Sequence, residues 1–218
     1  MSLSLNYAEI VSLASVGQAA CAVRSNTPIL ECVRITVTGR EVEAIASDRF
    51  VIGRVTFTLA VYPELGDEPI TYLVNAQALA QAATSAKRAG KGWHGTGAAL
   101  VTLDATEGGV TLSLATGDTF RSATPGGNFP PVEKLAEGDW NADIPSGQAI
   151  NVLALAQLAK LRHPLDTLTG AGATHFGGFN VARRLDQASP AKLAPWSLSR
   201  RDGAVFAMIQ PLLKLSNA

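Results

Sequence analysis

One pattern occurs three times along this chain and narrows its fold more than any other feature: a helix-period segment followed by short alternating strands. Self-similarity of this kind marks a protein built from copies of one supersecondary unit. The first copy runs from about Leu3 to Val61. Leu3 and Leu5 alternate with polar neighbours as a short strand does, and Asn6 is placed to cap a helix. Ile10, Leu13, Ala14, Gly17, Ala20 and Cys21 recur at helical spacing. The turn signal Asn26-Thr27-Pro28 predicts that the helix stops near Arg24. Strands are expected over Ile29–Val37, Glu41–Ala46 and Phe50–Ala60.

The second copy runs from about Pro69 to Thr124. Ile70–Val74 reads as a strand, and Asn75 caps a helix through Leu79, Ala82, Ala83 and Ala86. The glycine-rich segment from Gly90 to Gly97 must be loop. Ala99–Leu103, Val110–Leu114 and Thr119–Ala123 read as three strands, turning at Gly108-Gly109 and Gly117-Asp118. Residues 126–147 hold four glycines and three prolines and read as a linker. The third copy occupies 148–218. Val152, Leu155, Leu158, Ala159 and Leu161 form its helical stripe, which Pro164 ends. Thr174–Val181 reads as a strand, and Lys192–Ser199 with Val205–Gln210 as a hairpin turning at Asp202-Gly203. The expectation is an α+β chain: a complete domain of two βαβββ units over 1–125, the linker, and a shortened domain of one unit.

Composition excludes several function classes. With 47% apolar residues among 218, the chain can bury a core and is not disordered. The 18 basic and 18 acidic residues cancel, so the total shows no basic nucleic-acid binder. A local basic face stays compatible with a neutral total. Cys21 and Cys32 have no metal spacing and read as reduced thiols of a cytoplasmic protein. No apolar run reaches the roughly 20 residues of a membrane helix, and the N-terminus does not resemble a signal peptide.

Four segments, in order, resemble the bacterial sliding clamp, the β subunit of DNA polymerase III. Ala22-Val23-Arg24-Ser25-Asn26-Thr27-Pro28-Ile29-Leu30 resembles the segment after that family's first helix, and Ala46-Ser47-Asp48-Arg49-Phe50 its Ala-Thr-Asp turn. Asn128-Phe129-Pro130-Pro131 resembles the Phe-Pro that closes each clamp domain, and Asp202 to Lys214 the last strand and tail. The resemblance implies the sliding-clamp fold, with helices on one face of antiparallel sheets. It also implies a non-catalytic processivity factor that encircles duplex DNA and tethers a polymerase, with no cofactor. The chain is shorter than a three-domain clamp. A ring of three or four chains, a dimer, or an adaptor that binds replication or repair proteins without encircling DNA all stay open.

In that family, basic side chains on the helices face DNA phosphates. The matching residues here are Arg24, Lys87, Arg88, Lys91, Lys160 and Arg162, with His163 beside them. Cations at helix C-termini also offset the helix dipole, so the cluster has a structural reading too. The family's pocket for hydrophobic partner peptides maps to Met208, Pro211, Leu212 and Leu213; these residues are equally suited to a core and a strand end. Enzyme readings fare badly. His94, His163 and His175 have no metal spacing, and the glycine-rich stretches lack the Gly-Lys-Ser/Thr ending of a phosphate loop. Asp48 beside Arg49 reads as a turn. Trp93, Trp140 and Trp196 read as packing at domain edges.

Overall fold

A computed structural model describes residues 2–61, 68–90, 101–132, 140–141, 152–164, 180–184, 196–200 and 204–209. The first unit is β1 (Ser2–Leu5), α1 (Tyr7–Ala20), β2 (Cys32–Thr38), β3 (Glu41–Ser47) and β4 (Val51–Thr58). The second is β5 (Ile70–Asn75), α2 (Ala76–Gly90), β6 (Val101–Thr106), β7 (Gly109–Leu114) and β8 (Thr119–Ala123). The third is β9 (Trp140–Asn141), α3 (Val152–Leu158), β10 (Asn180–Arg184), β11 (Trp196–Ser199) and β12 (Val205–Ile209).

The first two units exchange their leading strands. One sheet has the order β1-β6-β7-β8, so β1 joins the second unit's strands. The other begins β5-β2-β3-β4, so β5 joins the first unit's strands. Each helix packs over the strands that follow it: α1 on β2, β3 and β4, and α2 on β7 and β8. The helices also pack on each other. Gly17 makes this possible, because a Cβ there would lie 2.7 Å from Ala76 Cβ. The second sheet then continues β4-β12-β11-β10-β9, all antiparallel, which welds the third unit to the first. Here β9 pairs with β10 of its own unit and is not exchanged.

The sequence explains the local structure. Asn6 Oδ1 accepts the Glu9 N–H at 2.9 Å, and Glu9 Oε2 accepts the Asn6 N–H at 2.7 Å, a reciprocal cap at the start of α1. Glu9 is buried because its other oxygen accepts the Ala60 N–H at 2.7 Å, beyond the end of β4. Asn75 Oδ1 accepts the Gln77 N–H at 2.8 Å and starts α2. The alternating residues Val33, Ile35, Val37, Val42, Ala44, Val55 and Phe57 face the helices and form the main core with Leu3, Leu5, Ile10, Leu13 and Leu79.

Several expectations shift. Helix α1 ends at Ala20, not near Arg24. Cys21 turns extended, and the Ala22 N–H donates to Leu30 C=O at 2.9 Å instead of continuing the helix. The strand expected from Ile29 begins at Cys32, because Pro28–Glu31 form a single 3₁₀ turn. The segment 126–147 contains β9, and Phe129 and Val132 pack on the outer face of the long sheet. In the third unit the helix stops at Leu158, so the expected stripe breaks. Ala154, Leu158 and Leu161 are buried, whereas Leu155 and Ala159 of the expected stripe are exposed. Of the strand expected over 174–181, residues 174–179 lie outside the described residues, and β10 runs on to Arg184.

Candidate nucleic-acid interface

The three helices share one side of the molecule. A Cβ at Gly53 of β4 would meet both Ala20 of α1 and Leu161 after α3, so both segments cover the same face of the long sheet. Side chains pointing away from the sheets therefore lie on a common helical surface.

On α1 and α2 that surface is polar, α3 exposes Leu153 and Leu155, and none of the three helices has an exposed carboxylate among the described residues. On α1 the fully exposed residue is Gln18, and the helix's acid, Glu9, is buried in its cap. On α2 the exposed residues are Gln77, Gln81, Thr84, Lys87 and Arg88. Gln77, Gln81, Thr84 and Arg88 recur at i, i+4, i+7 and i+11, one line along the helix. A groove of about 370 Å³ follows this line, with Phe120 of β8 as its apolar wall. The other described acids, among them Glu41, Glu43, Asp48, Asp104, Glu107 and Asp118, lie on strands and turns. The Thr84 hydroxyl donates to Ala80 C=O at 2.7 Å, so the amides and cations of this stripe are the groups that can donate hydrogen bonds to phosphate oxygens without reading sequence.

The expected basic residues do not form one uniform set. Lys87 and Arg88 are exposed in the last turn of α2. Lys160 is exposed in the turn after α3. Arg24 is exposed but lies off the helix, in a loop with φ 52°. Arg162 points a guanidinium nitrogen back at its own turn, with Nη1 donating to Ala159 C=O at 2.9 Å and Leu161 C=O at 3.0 Å. For Arg162 the geometry is that of a C-terminal cap. His163 is buried. Lys91 lies outside the described residues.

Met208 sits mid-strand on β12, opposite Ile52 of β4 and Ser197 of β11. It is only 5% exposed and packs with Ile45, Ile52 and Val132, with Phe129 and Phe206 alongside. Arg34 and Arg54 flank this outer cluster, each 5.0 Å from a ring centroid, Phe129 and Phe206 respectively. Pro211, Leu212 and Leu213 lie outside the described residues, as do Trp93, His94 and His175. Asp48 is a turn residue, its Oδ1 accepting the Phe50 and Val51 N–H groups at 2.9 and 2.7 Å. The described residues contain no group of three or more His, Cys, Asp or Glu able to hold a metal. Among them no helix is long and apolar enough to cross a membrane.

The glutamine–threonine stripe on α2 was missed in the sequence. Its signal was available: a helix of 15 residues with no acid, polar at one recurring face.

Two βαβββ units that exchange leading strands and pack their helices together, with a third unit continuing one sheet, define the α+β DNA-clamp fold. The solved structures bear this out. The chain is similar to a DNA polymerase sliding clamp from Pseudomonas aeruginosa, solved with a ligand: TM-score 0.61, 12% identity, 97% of this chain against 66% of that one. It is similar to the DNA polymerase III beta chain from Streptococcus pneumoniae, with TM-score 0.60, 14% identity, and 98% of this chain against 65% of that one. The beta subunit from DNA polymerase of Streptococcus pyogenes gives TM-score 0.57, 11% identity, and 98% against 66%. The chain thus spans about two thirds of the length of these clamps. No family model and no curated protein matches the sequence.

Proposed function

We propose that this chain is a sliding-clamp-like processivity factor: a non-catalytic homo-oligomer that encircles duplex DNA and tethers a DNA polymerase. The observation that carries this reading is the acid-free stripe of Gln77, Gln81, Thr84, Lys87 and Arg88 on the shared helical side. Such a surface holds phosphates loosely and at any sequence, as sliding requires. A second feature supports it. The outer edge of β4 is paired by β12, whereas β8, its counterpart in the second unit, has no strand on its outer edge among the described residues. An open edge of this kind suits pairing with another chain. On this reading Arg24, Lys87, Arg88, Lys91 and Lys160 serve the DNA, and Met208, Pro211, Leu212 and Leu213 mark the side that receives polymerase peptides.

The alternative is a clamp-fold adaptor that binds replication or repair proteins without encircling DNA. The single helix and single sheet of the described third unit favour it, since they supply half of a clamp module.

Retention on DNA separates the two. The protein is loaded on nicked circular plasmid, isolated on a sizing column, and then the plasmid is linearised. Encirclement predicts retention on the circle and loss from the ends after cutting. Equal binding to circular and linear DNA, or a strict monomer by light scattering at high concentration, leaves the adaptor.

A further inference from the structure

Two loops that meet beyond the end of α1 present side chains that the packing of the fold does not use. The loop after α1 carries Val23 and Arg24, and the turn between β3 and β4 carries Arg49 and Phe50; all four are exposed. Val23 is 87% exposed and Phe50 70%. Among the described residues, the non-glycine positions with positive φ are Arg24 at 52° and Arg49 at 82°. Left-handed backbone is strained at a residue with a side chain, and it persists where neighbouring bonds hold it. Those bonds are present. Ser47 Oγ accepts the Arg49 N–H at 3.1 Å, and Asp48 Oδ1 accepts the N–H groups of both Phe50 and Val51. Ser25 Oγ accepts the Thr27 N–H at 3.0 Å, and Glu31 Oε1 accepts the Ser25 N–H at 2.6 Å. Arg49 Nη2 donates to Thr27 Oγ1 at 3.1 Å and ties the turn to the loop. The two loops thus form one built tip that leaves an aromatic ring open to solvent.

We infer that this tip binds single-stranded nucleic acid, with Phe50 stacked on an unpaired base and Arg24 and Arg49 on neighbouring phosphates. The inference rests on the DNA-binding reading proposed above, and not on closure of a ring. Charge selects the occupant. The acids of the tip, Glu31 and Asp48, are half-buried, and each gives an oxygen to backbone N–H groups, whereas both arginines are exposed. What the tip offers outward is an aromatic face with cations beside it, the combination that holds bases and phosphates together. A wholly apolar partner would instead bury two guanidinium groups without counter-charges. Position agrees with this. The loop starts directly after α1, so the tip lies at the rim of the helical surface whose amides and cations suit duplex phosphates. Inside a duplex the bases are closed to a side chain by their own stacking and pairing. Phe50 therefore needs a base free of both, as in a single strand leaving a duplex. The tip adds a preference for such junctions to a surface that reads no sequence.

Fluorescence anisotropy on the full chain tests this with three labelled oligonucleotides that share one duplex. The first is blunt, the second carries a short thymine overhang, and the third carries the same overhang built from abasic sites. The abasic strand keeps the phosphates and removes the bases. Wild type should bind the thymine overhang about tenfold more tightly than the abasic one, the gain expected from one stacked base. Phe50→Ala should abolish that difference, and Phe50→Trp should keep it. Arg24→Ala should weaken both overhangs alike. Because Phe50 is exposed, its variants should keep the wild-type Tm. Three results would overturn the inference: no binding of either overhang, equal affinity of wild type for both, or a thymine preference that survives Phe50→Ala, which leaves the ring to another kind of partner. Base dependence in a chain that is not retained on circular plasmid keeps this inference and sinks encirclement. A retained chain without base dependence sinks this inference alone.

Discussion

Ser12 and Arg162 meet across 150 positions of sequence: Ser12 Oγ donates to Arg162 C=O at 2.6 Å. The Arg162 N–H in turn donates to Ser15 Oγ at 2.9 Å, and Ser15 Oγ donates to Ser12 C=O at 2.7 Å. Two serines buried in α1 thus tie the segment after α3 to the first unit. Replacing Ser15 with alanine removes the acceptor and leaves the Arg162 N–H without this partner. The expected loss is about 1–3 kcal/mol of stability, the range for an unsatisfied buried donor. Urea unfolding would measure it. Hydrogen exchange should quicken first around 158–163 and not in β6–β8.

The same contact separates two kinds of cation. Lys87 and Arg88 are exposed on the stripe, whereas Arg162 is turned onto the Ala159 and Leu161 carbonyls. A Lys87→Ala, Arg88→Ala double variant should bind DNA more weakly at every sequence. Its plot of log K against log salt should flatten by about two, one for each lost phosphate contact. Its thermal unfolding should hardly move. Arg162→Ala should do the reverse, lowering Tm with little change in salt slope. Fluorescence anisotropy on duplex DNA at several salt concentrations reads the first effect and calorimetry the second. Equal salt slopes for both variants would contradict the division.

Much of this was legible before the fold was seen, for physical reasons. The strands of the first two units follow period-two patterns with one buried face, so Val42, Ala44, Val55 and Phe57 marked their own side. Asn6 and Asn75 announced their helices through side-chain geometry that few residues supply. The failures have equally specific causes. The end of α1 depends on Ala22 pairing with Leu30, a contact that helical spacing does not encode. The stripe read in the third unit ran past the end of its helix, so it wrongly included Ala159. Arg24 and Arg162 looked alike as basic residues near helix ends. Only the backbone distinguishes a loop residue at φ 52° from a cap.

Thiol chemistry gives a pH-dependent prediction. Cys32, at the start of β2, has its pKa raised from the ordinary 9.0 to about 11, chiefly by burial and then by the nearby Glu31 carboxylate. The folded state therefore holds the thiol proton more tightly than the unfolded state does. This contribution to stability is fully present below pH 9 and is lost as pH rises through about 11. Cys21 is shifted in the same direction, again mainly by burial. Stability measured from pH 8 to 11 should fall, and Cys32→Ala should flatten that fall once its own baseline loss is subtracted. In the native protein at neutral pH both thiols should resist iodoacetamide. Rapid labelling there would contradict the burial.

The open edge of β8 permits a substitution that separates assembly from folding. The Leu114 N–H donates to Asp118 C=O at 2.8 Å, and the Thr124 N–H to Gly108 C=O at 3.2 Å. Even-numbered residues around β8 therefore turn their backbone groups toward β7. In an antiparallel ladder the odd-numbered ones, Thr119, Arg121 and Ala123, turn theirs to the open edge. Proline at position 121 removes an outward N–H and spares the β7 ladder, the kind of edge position where proline is tolerated. Its ring would also block the approach of another strand. Arg121→Pro should thus leave the protomer folded, at a modest cost in Tm, while abolishing any association through this edge. Light scattering reads the mass. If β8 is an assembly edge, Arg121→Pro lowers the mass below that of the wild-type assembly. If the variant keeps the full wild-type mass, β8 is not an assembly edge, and a ring closed through it is excluded.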